Sequence, residues 1–174
     1  PEAKSGITWV DKDTLLLGTD WGEGSLTESG YPRVVKRWTR GTPLTSAKTV
    51  LEGKPENIGV WPWVSHSDGT QTVFITQSLT FYTSRNYVVN GDALVSVPIP
   101  DHAQVRGTFA GRLLFAPREG WKRSEGGETY PAGALLAMPL AAVVAGNPAP
   151  PITTIYTPDD RTSIEGISTT KDAL

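Results

Sequence analysis

Val64-Ser-His-Ser-Asp-Gly-Thr-Gln-Thr-Val-Phe-Ile75 is one short run, a tight polar turn and a strongly apolar strand in succession. The same unit recurs upstream as Ile7-Thr-Trp-Val-Asp-Lys-Asp-Thr-Leu-Leu-Leu17 and downstream as Val105-Arg-Gly-Thr-Phe-Ala-Gly-Arg-Leu-Leu-Phe115. A fourth copy opens at Ser163-Ile-Glu-Gly-Ile-Ser-Thr-Thr-Lys-Asp-Ala-Leu174. With the turns aligned at Asp11, Ser67, Ala110 and Lys171, the copies lie roughly 40 to 60 residues apart, the spacing of propeller blades.

Working outward, each unit continues alike. Arg33-Val-Val-Lys-Arg-Trp-Thr39 and Ala47-Lys-Thr-Val-Leu51 follow the first pair of runs. Phe81-Tyr-Thr-Ser-Arg-Asn-Tyr-Val-Val89 and Ala93-Leu-Val-Ser-Val97 follow the second. Ala134-Leu-Leu-Ala-Met138 and Ile152-Thr-Thr-Ile-Tyr156 follow the third. Between those last two lies Pro139-Leu-Ala-Ala-Val-Val-Ala-Gly146, where Pro at the start and Gly at the end predict a helix of one or two turns. Four strands per unit, repeated, predict an all-β fold: a partial β-propeller of about three four-stranded antiparallel blades plus the start of a fourth. The blade-like repeats span about 5–53, 57–101, 104–158 and 162–174 of a single fragment. A β-sandwich suits the strand content equally but leaves the recurrence of one turn-plus-strand unit unexplained.

Composition narrows the chemistry. The 174 residues include 18 Gly and 14 Pro, no Cys, two His and six Trp, with a formal net charge of -2. Without Cys there are no disulfides, thiolate metal sites or Cys nucleophiles. The faintly acidic balance argues against nucleic acid as a partner. No run approaches the roughly 20 apolar residues of a membrane helix, because the longest, 133–145, is broken by Pro139. The expected compartment is the cytoplasm, with the periplasm as the alternative. The chain starts at Pro1 without an initiator Met or an apolar signal core and stops in what reads as a strand, so the expectation is an internal piece of a longer polypeptide. Three blades and a fraction cannot close a ring, and open blade edges predict self-association.

Nucleophilic catalysis has no support, since no Ser stands in a Gly-x-Ser-x-Gly elbow. Ser65-His66-Ser67-Asp68 names triad members, but neighbours in a tight turn point apart, so His66 reads as a solvated turn residue and His102 as a loop residue. Asp11-Lys-Asp13 lacks the Gly and distal Glu of a calcium loop, and Asp159-Asp160 likewise reads as a turn. Gly22-Glu-Gly24 has Thr27 where a dinucleotide motif needs its third Gly. Arg33, Lys36, Arg37 and Arg40, interleaved with Trp38, alternate along a strand and make no single patch. No catalytic, cofactor-binding or metal-binding residue is put forward, and no cofactor is expected.

Several segments are familiar once the blades are laid out: Trp9-x-Asp11-x-Asp13-Thr-Leu-Leu-Leu-Gly-Thr-Asp20, Gly24-Ser-Leu-Thr-x-Ser-Gly-Tyr-Pro-Arg33, Trp38-x-Arg-Gly-Thr-Pro43, Phe81-Tyr-Thr-Ser-Arg-Asn-Tyr87, Tyr130-Pro-Ala-Gly-Ala-Leu135 and Thr169-Thr-Lys-Asp-Ala-Leu174. Together they resemble the propeller domain of bacterial members of the prolyl oligopeptidase family of serine peptidases. The resemblance implies a parent in which a seven-bladed propeller covers an α/β-hydrolase domain carrying a Ser-Asp-His triad, and gates the entry of short peptides. It carries no triad residue onto this chain. The implied partners are the missing hydrolase domain and the remaining blades, with short peptides as the parent's substrate.

Two alternatives remain open. One is a stand-alone propeller-type protein-interaction module. The other is a carbohydrate-active propeller, in which paired carboxylates from Asp20, Glu23, Glu28 and Glu56 would act beside Trp61, Trp63 and Trp121.

Overall fold

A computed structural model describes residues 3–125, 127–170 and 173. The described residues are almost all β, arranged as three four-stranded antiparallel sheets and one small hairpin. The first sheet runs β1 (Gly6–Trp9), β2 (Thr14–Gly18), β3 (Val34–Thr39) and β4 (Lys48–Glu52) in sequential order. The second runs β5 (Gly59–Ser67), β6 (Thr70–Ser78), β7 (Ser84–Asn90) and β8 (Ala93–Ser96), also in order. The third contains β9 (Ala103–Phe109) and β10 (Arg112–Pro117). A two-stranded hairpin of β11 (Trp121–Lys122) and β12 (Thr129–Tyr130) follows, before β13 (Leu135–Pro139), the helix α1 (Leu140–Val144) and β14 (Thr153–Tyr156). Its order is β9-β10-β13-β14 read from one edge, again a meander.

The turns explain why the first two strands of each unit pair. At the β5–β6 tip Asp68 and Gly69 have φ 53° and 70°, and at the β9–β10 tip Ala110 and Gly111 have φ 47° and 69°. Two consecutive positive φ values match the right-handed strand twist and close a two-residue hairpin. The β1–β2 turn works by a side chain instead. Asp11 Oδ1 accepts the amides of Asp13 (2.8 Å) and Thr14 (2.9 Å).

The residues form two compact units. The first, Pro1–Val64 with Thr72–Leu94, holds the first sheet and the body of the second. Side chains alternate across β2 and β3, so Leu16 and Val35 share one face. That face packs on Val60, Val73 and Ile75 in a buried cluster, with Val50, Leu51, Val89 and Leu94 around it. Truncating Leu16, which is fully buried, would cost about 2–5 kcal/mol. The second unit, Ser65–Gln71 with Val95–Leu174, holds the β5–β6 tip and the third sheet. Its cluster is Leu114, Leu135 and Ala137, flanked by Phe109, Tyr156, Ile164 and Ile167.

Register slips mark three pairings. They fall between Val35 and Lys36 on β3 against β4, between Leu135 and Leu136 on β13 against β14, and between Leu114 and Phe115 on β10 against β9.

Three local expectations change. The run expected from Phe81 enters β7 only at Ser84, because 79–83 is a hydrogen-bonded loop. The hairpin β11–β12 was not foreseen between β10 and β13. The stretch expected to open a fourth sheet carries no strand from Ser163 to Thr170. Ile164 and Ile167 instead lie on the third-sheet cluster. Lys171, Asp172 and Leu174 fall outside the described residues.

Candidate functional site

In the first unit the most elaborately built region is the loop 19–33 that joins β2 to β3. Asp20 Oδ1 accepts the Gly22 amide (2.8 Å) and the Ser25 hydroxyl (3.1 Å), and Ser25 Oγ accepts the Trp21 amide (2.8 Å). The Ser-Gly-Tyr-Pro-Arg segment closes the loop on itself. Thr27 donates its amide to the Tyr31 carbonyl (2.8 Å) and accepts the Tyr31 amide on Oγ1 (3.2 Å), while the Gly30 amide returns to the Thr27 carbonyl (2.9 Å). Gly30 sits at φ 73°, a conformation that strains any residue with a Cβ.

The loop is then stitched to the second sheet. The Thr27 hydroxyl donates to the Ile58 carbonyl (3.2 Å), the Glu28 amide to Pro55 (2.9 Å), and the Val60 amide to the carbonyl of buried Pro32 (2.8 Å). Asn57 Oδ1 accepts both the Lys54 amide and the Gln77 Nε2 amide at 2.9 Å, and the Tyr87 hydroxyl donates to Gln77 Oε1 (3.3 Å). Thr27, Asn57 and Gln77 are all buried, so these bonds pair polar atoms where water has little access. Arg33 completes the seam. Its guanidinium donates to the carbonyls of Gly24 (2.5 Å) and Gly53 (2.9 Å) and to Glu52 Oε1 (2.6 Å).

Beside this seam the loop 79–83 joins β6 to β7. Thr80 Oγ1 accepts the amides of Tyr82 and Thr83 at 3.1 Å and shares a hydroxyl bond with Thr83 (2.8 Å). This rigid turn holds Phe81 and Tyr82 out in solvent, 82% and 73% exposed.

The second unit holds a cleft of about 520 Å³ lined by His66, Ser67, Asp68, Gly69, Phe109, Thr169 and Thr170. The Ser-His-Ser-Asp run therefore lies in a hairpin tip. Ser67 Oγ donates to Asp68 Oδ2 (2.9 Å), His66 is exposed, and the four residues do not converge as a triad. Tyr130-Pro-Ala-Gly-Ala-Leu135, one of the segments that carry the resemblance, is held by internal hydrogen bonds as the loop 19–33 is. The Gly133 amide donates to the Pro117 carbonyl (2.7 Å), and the Tyr130 hydroxyl donates to Glu128 Oε2 (2.8 Å). Burial pushes the Tyr130 phenol above its usual range, and the Glu128 carboxylate adds to the shift.

The remaining sequence candidates are spoken for. Asp11 and Asp159 are held below the usual carboxylate range by backbone amides, chiefly those of Asp13 and Arg161. Among the described residues no three His, Asp or Glu side chains group as metal ligands. Arg37 pairs with Asp92 and the Gly91 carbonyl, Arg40 with Asp13 (3.1 Å), and Lys36 lies over the Trp21 ring (4.5 Å). The tryptophans pack: Trp63 stacks on Phe74 (4.4 Å), Trp61 meets Tyr31 edge-on (5.2 Å), and Trp121 lies between Phe115 and Tyr130. Glu23 and Glu28 are exposed, and Glu56 pairs with Lys54 at 3.7 Å.

Among the described residues no Ser, His and acidic side chains converge on one point. No family model matches the chain. It is 27% identical over its whole length to an uncharacterized peptidase, y4nA, of Sinorhizobium fredii, and 26% identical over 96% of its length to an uncharacterized peptidase, RP174, of Rickettsia prowazekii. Its relatives are peptidases. A solved structure of a post-proline cleaving enzyme from Rickettsia typhi superposes with a TM-score of 0.83 over 95% of the chain, at 24% identity, which shows the fold. Both results bear out the resemblance and the propeller-type, all-β class read from the sequence. The chain spans about a quarter of the length of each of these proteins, 24–25%.

Among the described residues no helix is long and apolar enough to cross a membrane.

Proposed function

We propose that the chain is a non-catalytic part of the propeller of a serine peptidase of the prolyl oligopeptidase kind. Its task is to shape and restrict the entrance to a hydrolase site carried elsewhere in the longer polypeptide. The observation that supports this best is the end-to-end similarity to peptidases that are about four times longer. The absence of any converging Ser, His and acid among the described residues fits the same division of labour. A filter needs stiff walls, and the hydrogen-bonded seam around Thr27, Asn57 and Gln77 supplies stiffness without relying on apolar packing alone.

The test is hydrolysis by the longer polypeptide of a short proline-containing peptide, compared with the same peptide embedded in a folded protein. The expected outcome is cleavage of the short peptide only, with no cleavage of either by the 174-residue chain. Cleavage of both by the longer polypeptide would remove the gating role.

The second reading is an interaction module, and a specific feature favours it: Phe81 and Tyr82, aromatic and exposed on a preorganised turn, are the type of residue that anchors protein interfaces. A longer polypeptide without peptidase activity, from which a partner is released by Phe81→Ser, would support that reading over the first.

A further inference from the structure

We propose that the third sheet carries a small binding site for a carboxylate joined to a compact aliphatic group, with the Arg106 guanidinium as the contact for the anion. The proposal requires no peptidase activity. A cavity of about 130 Å³ lies within the second unit, walled by Ala116, Leu135, Pro158, Ile164 and Ile167. Arg106 and Ser163 line the same cavity, and among the described residues Arg106 is its one charged lining residue.

Arg106 reaches this cavity through a break in the alternation of its strand. Leu114 pairs with Gly107 and Phe115 with Val105, so one step along β10 is two steps along β9, and Arg106 is the residue left over. A bulged residue leaves the ladder, and its side chain is re-aimed. Gly107 beside it takes φ 118°, which a Cβ would strain. In regular alternation Arg106 would lie on the opposite face from Gly107 and Leu114. The bulge instead lets it share a cavity with Leu135, Ile164 and Ile167, which cluster with Leu114.

The guanidinium is also uncommitted. In the first unit Arg33, Arg37 and Arg40 each pair with a carboxylate, that of Glu52, Asp92 and Asp13. On the third sheet Arg112 donates to the Thr153 hydroxyl (3.1 Å). Among the described residues neither the Arg106 guanidinium nor the Ser163 hydroxyl has such a partner. The lining then sets the ligand class. An apolar cavity of this size takes up a hydrocarbon group rather than water, since one of about 150 Å³ binds benzene. An aliphatic group of about four to six carbons suits it. A guanidinium presents paired donors that match the two oxygens of a carboxylate, and a serine hydroxyl adds one more. One cation suits the single charge of a carboxylate better than the nearly double charge of a phosphate ester. A free branched acid and the C-terminal residue of a peptide ending in Leu share this chemistry.

The probe is 3-methylbutanoate, titrated into the folded longer polypeptide by saturation-transfer NMR beside its uncharged amide. Saturable binding with a Kd of about 1 mM is expected for the acid, and binding at least about fivefold weaker for the amide. Arg106→Gln is expected to weaken the acid by about the same factor. Arg112→Gln, outside the cavity, is expected to leave it unchanged, and circular dichroism establishes that each variant is folded. In the unaltered protein the acid should slow phenylglyoxal modification of Arg106, read by peptide mass spectrometry, and the amide should not. The peptide Ala-Ala-Leu separates the two sources. If it competes with the acid, the site takes peptide C-termini; if it does not, the site takes small free acids, and either result keeps the carboxylate site. Equal binding of acid and amide, or unchanged binding in folded Arg106→Gln, would overturn the proposal. So would a modification rate at Arg106 that the acid leaves untouched.

Discussion

Between the second and third strands the first sheet carries residues 19–33 and the second carries residues 79–83, and the two connections are stabilised by different means. The longer one spends its length on polar groups that reach out of the loop. Thr27, Glu28, Pro32 and Arg33 bond to Ile58, Pro55, Val60 and the 52–53 segment. The shorter one is held entirely by its own Thr80 and Thr83 and leaves Phe81 and Tyr82 in solvent. Length alone therefore does not set rigidity. What matters is whether the backbone amides of a connection find fixed acceptors, either within the loop or beyond it.

Asn57 is the place to break the long connection, since its carbonyl oxygen serves both Lys54 and Gln77. Asn57→Ala leaves two donors unpaired in a buried site and is expected to lower stability by about 2–3 kcal/mol, read as a lower urea midpoint with an unchanged slope. Arg33→Ala comes next at about 1–2 kcal/mol. Its loss is mainly the two carbonyl partners, because Glu52 is 54% exposed. A double-mutant cycle with Glu52→Gln that returns most of the effect as coupling would show that the ion pair, not the carbonyls, holds the seam.

For the short connection, Thr80→Val removes the acceptor of two amides on an exposed turn and is expected to cost about 0.5–1 kcal/mol. Replacing Phe81 and Tyr82 together by Ser should change stability by less than about 0.5 kcal/mol. A larger loss would mean that these rings pack onto the chain. The smallest effect concerns a turn outside both connections. The folded-state pKa of Asp11 is depressed, so its contribution is present above the unfolded carboxylate value and fades as pH falls through the folded one. Relative to Asp11→Ala, the native chain should lose its advantage only below about pH 4.

Much of the fold was legible because the strand-to-strand turns are local. Asp68-Gly69 and Ala110-Gly111 close hairpins by backbone conformation that short-range sequence specifies. The start of β5 was harder to read, since Gly59-Val-Trp-Pro-Trp63 contains a proline that argues against a central strand. Pro62 is tolerated because β5 is the edge of its sheet. Phe81 and Tyr82 have the composition of a strand, and only the two amides accepted by Thr80 make them a turn. The seam was not legible at all. Asn57 and Gln77 are ordinary polar residues in sequence, and their pairing across 20 positions depends on tertiary placement.

The register slips on β4, β9 and β14 have a consequence for behaviour at high concentration. These strands lie at sheet edges, and each is bulged against its inner neighbour. A bulge bends and overtwists an edge, so its free amides and carbonyls no longer form the straight row that an incoming strand requires. These three edges thereby resist fibre-like stacking, and a synthetic β-strand peptide should find no ready template along β4 or β14.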